Sequence, residues 1–215
     1  QRQMCIRDST QADTLFWYDD IAIGINICED IWIENGPAEE QVKQGASLII
    51  NINASPYDIQ KNETRKEIVM KKALKLNVPI IYLNMVGGQD ELVFDGGSFV
   101  VDDLGEIIYQ ASSFKEEVFH LDIDLKIKKQ NDKSPLLIRP KTTKLKDIKS
   151  KPSMSENESI YSALKLGLLD YVSKNKFTKV LIGISGGIDS ALTAAICVDA
   201  LGAQNVIGVA MPSKY

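Results

Sequence analysis

The sequence predicts two successive α/β units: a layered unit with mixed sheets, then the start of a doubly wound parallel one. Three observations carry this. Buried β-branched runs alternate with helical segments as far as residue 85. Short strands separated by turn residues then follow one another up to residue 122. Finally, a strand, a glycine-rich loop, a helix and a second strand stand in order between residues 180 and 210. Alternation of strand and helix implies parallel pairing, and consecutive short strands imply antiparallel additions to the same layer.

Ile21–Ile27 (IAIGINI) reads as a buried strand running directly into Cys28-Glu29-Asp30. Asn35-Gly36-Pro37 breaks the chain, and 38–44 is a short helix before Gly45. Leu48–Asn53 (LIININ) is a second buried strand, leading into Ala54-Ser55-Pro56-Tyr57. The spacing predicts a helix over 62–76, with Ile68, Val69, Lys72, Ala73 and Leu76 on one face and basic residues on the other. Residues 78–85 (VPIIYLNM) form a third strand, stopped by Gly87-Gly88. Short strands follow at 98–101, 106–109 and 117–122, separated by turns such as Asp102-Asp103-Leu104-Gly105.

The composition then shifts. Residues 126–151 hold ten Lys/Arg against two acids, Asp132 and Asp147, and include Pro135 and Pro140. Such a stretch reads as a solvated basic linker over 126–154 rather than a binding patch. Ser155-Glu156-Asn157-Glu158 has the capping-box pattern, and the helix behind it sets Ile160, Leu164, Leu168 and Tyr171 on one face. Val180–Ile184, Ser185-Gly186-Gly187, Ile188–Leu201 and Val206–Ala210 complete the second unit. Two parallel strands over 155–215 do not close a doubly wound sheet, so this unit is expected to be cut short. Residues 1–9 lack both an apolar signal region and the periodicity found downstream. They are expected to be foreign to the native chain, an assembly scar, which discounts Cys5.

The 215 residues are 44% hydrophobic and 25% charged, the balance of a globular protein, not a disordered or collagen-like one. No uncharged apolar run, Ile21–Ile27 included, approaches the ~20 residues of a membrane span. A net charge of −4 argues against a dedicated nucleic-acid binder. Three cysteines are an odd number, which speaks against a disulfide framework and for a reducing compartment, here the cytoplasm.

The sharpest chemical signal is Gly183-Ile184-Ser185-Gly186-Gly187-Ile188-Asp189-Ser190. Strand, glycine-rich loop and helix start point backbone N–H groups and the positive helix end at a phosphate. Ser185 and Ser190 add hydroxyls, and Asp189 could hold Mg²⁺ between phosphate oxygens. The missing Gly-Lys-Ser/Thr rules out a Walker A loop. The second signal is Cys28, at a strand end and opening an acidic turn, placed as a nucleophile with the next N–H as oxyanion donor. Spacing alone does not separate this from an inert core cysteine. His120 could pair with Cys28, but a packed or edge histidine is the simpler reading. Cys197 reads as core.

The SGGxDS loop resembles that of the N-type ATP pyrophosphatases, which activate a carbonyl oxygen as an adenylate for attack by nitrogen. ICEDIW, NASPY, Lys61 and PIIYLNMVGGQDELVFDGGS resemble the C-terminal half of a nitrilase-type, or carbon–nitrogen hydrolase, glutaminase. The two halves in this order are similar to the glutamine-dependent NAD+ synthetases. The resemblance implies a partial nitrilase-like α-β-β-α sandwich over 10–125, then the start of a Rossmann-like doubly wound synthetase over 155–215, with MPSKY after its second strand.

It further implies Cys28 as glutaminase nucleophile and Ser55 and Lys61 as glutamine-binding residues. Read on their own, Ser55 is a turn residue and Lys61 a solvated charge. Gly183, Ile184, Ser185, Gly186, Gly187, Ile188, Asp189 and Ser190 become the ATP site, with Asp189 on Mg²⁺. Glutamine, ATP and deamido-NAD+ are the implied substrates, and a homo-oligomer is the implied assembly of the full enzyme. The implied triad also needs a Glu and a Lys upstream of the nucleophile, and residues 1–27 contain neither. Two other readings stay open: a stand-alone amidase, and an inactive ATP-binding module.

Overall fold

The computed structural model describes residues 15–126 and 154–211. The expected scar at 1–9, most of the expected linker and nearly all of MPSKY lie outside them. The first unit is a six-stranded mixed sheet in the order β1-β2-β3-β4-β7-β8. Its strands are β1 (Leu15–Tyr18), β2 (Ile21–Ile27), β3 (Leu48–Asn53), β4 (Ile80–Asn84), β7 (Phe99–Val101) and β8 (Ile107–Gln110). β2, β3 and β4 are parallel, with Ile25 opposite Ile50 and Asn53 opposite Asn84. β1, β7 and β8 join antiparallel.

Helices α1 (Pro37–Lys43) and α2 (Lys61–Leu76) make the crossovers between the parallel strands. Ala38 of α1 and Val69 and Ala73 of α2 pack with Ile49, Ile80, Phe99 and Val101 of the sheet, all fully buried. Helix α2 stops at Asn77, whose left-handed backbone (φ 52°) closes the last turn, just before Pro79. Gly24 makes the α1 contact possible. A Cβ there would stand 2.4 Å from Gln41 Oε1, and Gln41 uses that space to bond the Ile25 carbonyl and Asn26.

Two expectations need correction. Helix α2 does not turn the basic residues of its other face wholly to solvent: Arg65 and Lys66 are buried, each held by an acid, while Lys72, expected on the packed face, is buried there against Glu39. Residues 117–122 form no strand. Phe119, Leu121 and Ile123 pack on Val100, Tyr109 and Ala111, so the alternation there reflects packing on a sheet face without a ladder. The structure adds β1 and a hairpin of β5 (Val86–Gln89) and β6 (Leu92–Asp95), where the sequence reads a glycine stop.

The second unit has helix α3 (Glu156–Lys174), strand β9 (Val180–Ile184), helix α4 (Ile188–Leu201) and strand β10 (Val206–Ala210), with β9 and β10 parallel. Ser155 caps α3 as its pattern predicts: its N–H donates to Glu158 and its hydroxyl accepts from the Glu158 N–H. The packed face of α3 differs from expectation. Ala163 and Val172 are buried while Leu164 and Tyr171 stay exposed, and Gly167 lies close against Gly88 and Val93. None of the described helices is long and apolar enough to cross a membrane.

Candidate active site

The parallel strands β2, β3 and β4 end together, and the site of the first unit stands at their carboxyl ends, where open α/β sheets bind ligands. Cys28 is the residue directly after β2 and the first of a short 3₁₀ helix, Cys28–Trp32. Its φ is +50°, a left-handed backbone that costs a non-glycine residue ~1–3 kcal/mol. Neighbours hold it there. The Ile27 N–H donates to Asp30 Oδ2 at 3.1 Å, and Asn51 Nδ2 donates to the Cys28 carbonyl at 3.3 Å. The acidic turn after the cysteine is therefore the clamp of a tight strand-to-helix elbow.

A row of buried asparagines lines the strand ends: Asn26, Asn51, Asn53 and Asn84. Asn53 Nδ2 donates to Asn51 Oδ1 and to the Leu83 carbonyl, tying β3 to β4. Asn84 Oδ1 accepts the Ser55 N–H at 2.9 Å and fixes the start of the segment after β3.

Ser55 itself is buried, and the group that holds it is Arg65. Every side of the guanidinium is used. Nε donates to Ser55 Oγ at 3.2 Å, Nη2 to the Ser55 and Pro56 carbonyls at 2.9 and 2.8 Å, and Nη1 to both oxygens of Asp95 at 2.8 and 2.9 Å. Such a fork is the geometry for which arginine is suited and lysine is not. Tyr82 of β4 is buried nearby, stacked on Phe99. Burial pushes its hydroxyl up to about 12, against Arg65 and Ser55, while negative charge on Cys28 or Asp95 acts in the same direction as burial. Cys28, Ser55, Tyr82, Arg65 and Asp95 thus share one electrostatic neighbourhood.

Lys61, the first residue of α2, is half-buried at the start of the helix that delivers Arg65. His120 is exposed and lies outside any strand. Cys197 is buried, and burial raises its thiol pKa, which suits the inert core role expected of it.

A second buried pair supports the elbow from behind. Lys72 Nζ donates to Glu39 at 2.7 Å and to the Ile33 carbonyl at 2.8 Å, while Glu39 accepts the Gly36 N–H. Burial favours the neutral acid. The Lys72 hydrogen bond, the backbone bond and the charges of Lys72 and Lys75 outweigh it, so the Glu39 carboxyl lies below its usual range.

The site of the second unit is built of backbone. β9 ends at Ile184, and Ser185-Gly186-Gly187 turns into α4, with Gly186 at φ 89°. Ser185 Oγ and Ser190 Oγ approach to 3.2 Å, and Ser190 Oγ donates to the Gly187 carbonyl at 3.0 Å. The loop is exposed from Ser185 to Asp189, and Asp189 stands in the first turn of α4. Gly183, Ile184, the loop and Ser190 are contiguous around this turn, as the spacing implies. Cys28 and Ser55 gather on the other sheet.

Sequence reasoning missed Arg65, Asp95, Tyr82 and Asn84 as site residues. Their partners lie ten to thirty positions away in the chain, which no local spacing reports. The one available signal was a pair of polar residues, Asn84 and Asp95, ending otherwise apolar strands.

Comparison with known proteins agrees with this geometry. Residues 6–129 match the carbon–nitrogen hydrolase family, and residues 160–215 match the NAD synthase family. The glutamine-dependent NAD(+) synthetase of Synechocystis sp. is 40% identical over 210 residues, covering 93% of this chain and 35% of that protein. That of Thermotoga maritima is 43% identical over 217 residues, covering 91% and 37%. Among solved structures, the glutamine-dependent NAD+ synthetase of Acinetobacter baumannii in complex with ADP superposes with a TM-score of 0.78 at 38% identity, over 94% of this chain and 35% of that one. The enzyme of Cytophaga hutchinsonii shares the fold at a TM-score of 0.63 and 22% identity, over 90% and 28%. The chain spans about a third of the length of the curated relatives it matches. With more than half of its residues matched, from 6 to 129, the chain belongs to the carbon–nitrogen hydrolase family.

Proposed function

We propose that the chain is a segment of a glutamine-dependent NAD+ synthetase, cytoplasmic, in which the first unit supplies ammonia and the second uses it. The observation that carries this reading is the strained Cys28 elbow on the same chain as the Ser185–Ser190 phosphate turn. One fits acyl transfer and the other nucleotide binding. The unit limits follow: 10–125 for the hydrolase part, 126–154 for a linker and 155–215 for the synthetase part.

In the first unit the Cys28 thiolate attacks the side-chain carboxamide of glutamine. The carbonyl oxygen takes the negative charge opposite the Glu29 N–H; collapse expels the nitrogen as ammonia, carrying the proton lost by the Cys28 thiol, and water then cleaves the thioester to glutamate and the free thiol. Ser55 and Lys61 hold the amino-acid end of glutamine. In the second unit, Gly183, Ile184, Ser185, Gly186, Gly187, Ile188, Asp189 and Ser190 cradle the phosphates of ATP. The carboxylate of deamido-NAD+ attacks its α-phosphate, releasing pyrophosphate, and ammonia then displaces AMP to give NAD+. Asp189 and the hydroxyls of Ser185 and Ser190 are hard oxygen donors, the set Mg²⁺ takes, and the ion when bound neutralises phosphate charge. A stand-alone amidase leaves the SGGIDS turn unexplained.

The test is Cys28→Ala in the full-length enzyme. Glutamine-dependent synthesis should vanish and ammonia-dependent synthesis should persist near its normal rate. Equal loss of both would remove Cys28 from the ammonia-supplying step.

A further inference from the structure

Helix α3 opens the segment similar to NAD synthases, yet it packs on the hydrolase unit and holds one residue of it by both its polar groups. The Gly88 N–H in β5 donates to Asp170 Oδ2 at 2.7 Å, and the Gly88 carbonyl accepts from Lys174 Nζ. Asp170 and Lys174, one turn apart and 3.4 Å from each other, take both polar groups of one residue. The fit is close. A Cβ at Gly88 would lie 3.2 Å from Gly167 Cα and from Asp170 Cβ, and one at Gly167 would lie 3.0 Å from Val93 Cγ2.

The hairpin held in this way supports residues 55–57 from its other strand. The Tyr57 N–H donates to the Val93 carbonyl at 2.6 Å, and Asp95 anchors the Arg65 fork on the Ser55 and Pro56 carbonyls. The first turns of α3 reach the same segment directly, through Ser159 Oγ and Tyr57 OH at 3.0 Å. Ser159 and Asp170 are eleven residues apart, ~16 Å of helix, so α3 spans both the segment and the hairpin that supports it.

We infer that α3 positions residues 55–57, with Asp170 and Lys174 as positioning residues acting through the hairpin. The glutamine part of this inference rests on the function proposed above. The positioning itself does not. A segment without ladder pairing of its own keeps its shape only through such outside contacts, and its amides exchange faster as they are removed.

The experiment is amide hydrogen exchange on the chain, comparing wild type with Asp170→Ala and Lys174→Met, and with Asp170→Asn, which keeps an acceptor for Gly88. Exchange at Ser55 and Tyr57 should rise ~tenfold in the first two and return toward wild type in Asp170→Asn, with the Val69 amide of α2 unchanged as the folding control. In the full-length enzyme Asp170→Ala and Lys174→Met should raise the KM for glutamine several-fold and leave ammonia-dependent kcat unchanged, with Asp170→Asn near wild type. Wild-type exchange at Ser55 and Tyr57 in Lys174→Met and in a folded Asp170→Ala would overturn the inference. Faster exchange in an enzyme that never uses glutamine would uphold the positioning and sink the functional reading instead.

Discussion

The two units differ in what their sites are made of. In the first, the residues around Cys28 are side chains locked by other side chains: Arg65 to Asp95, Asn53 to Asn51, Lys72 to Glu39, nearly all buried. In the second, the Ser185–Ser190 turn is shaped by backbone, with Gly186 at φ 89°, and by two serine hydroxyls that bond within the turn. A nucleophile must be aimed, and aiming takes a buried network. A phosphate needs only several N–H groups and a helix end, which a short glycine turn provides. Substitutions in the buried network that holds the first site should therefore act through stability, and substitutions in the second turn through rate.

The largest effect that would break this contrast is at Arg65. Arg65→Met removes the partner of Asp95, whose side chain is 4% exposed, and leaves a buried charge uncompensated. The expected loss is about 3–5 kcal/mol of unfolding free energy, read by urea denaturation. A loss below about 1 kcal/mol, the size of a surface pair, would mean that the fork is ornamental.

Asp189→Asn comes next and has the opposite profile. Its carboxylate is exposed, so the melting temperature should stay at wild type. On the role proposed for Asp189, synthesis in the full-length enzyme with either glutamine or ammonia should fall roughly a hundredfold at saturating Mg-ATP, since loss of a charge that holds a metal would forfeit several kcal/mol at the transition state. A near-normal rate would remove the ATP role from this turn. The chain itself, with no Glu or Lys among residues 1–27, should release no ammonia from glutamine above the buffer background.

A smaller effect follows from Glu39. Its carboxyl pKa is lowered in the folded state from 4.5, so its pair with Lys72 stabilises the fold fully above that value. That stability is lost as the pH falls through the lower folded value. The urea midpoint should decline below about pH 4.5, and the decline should be shallower in Glu39→Gln, which cannot titrate. Equal slopes for the two proteins would place the acid sensitivity elsewhere.

The same contrast explains what could be read from the chain in advance. Ile21–Ile27, Leu48–Asn53, Val180–Ile184 and Val206–Ala210 match their expected bounds, because continuous β-branched runs between breakers fit little else. The Ser185–Ser190 turn was equally legible, being local by construction. The support of Cys28 was not. Arg65 stands among Lys and Glu on a helix and looks solvated, yet its acid lies thirty residues on, in a strand to which the sequence pattern assigns no element. Val86-Gly87-Gly88-Gln89 has the composition of a turn, and only the close approach of α3 gives those glycines a use as strand. The left-handed backbone at Cys28 had no sequence signal either, since cysteine is not a residue that favours it.

That last feature yields the smallest and most direct test. At φ +50°, any side chain at position 28 meets the steric cost that glycine avoids. Alanine and glycine both remove the thiol, so the difference between Cys28→Ala and Cys28→Gly isolates the backbone. If the elbow is strained, Cys28→Gly should be the more stable of the two by about 1 kcal/mol, although glycine has the greater unfolded-state entropy to lose. The control is Cys197, inside α4, where the same pair should reverse and Cys197→Gly should be the less stable by about 1 kcal/mol. Thermal or urea unfolding of the four variants reads both differences. A reversal at position 28 as well would show an unstrained elbow, and the turn would then be held by its hydrogen bonds at no conformational cost.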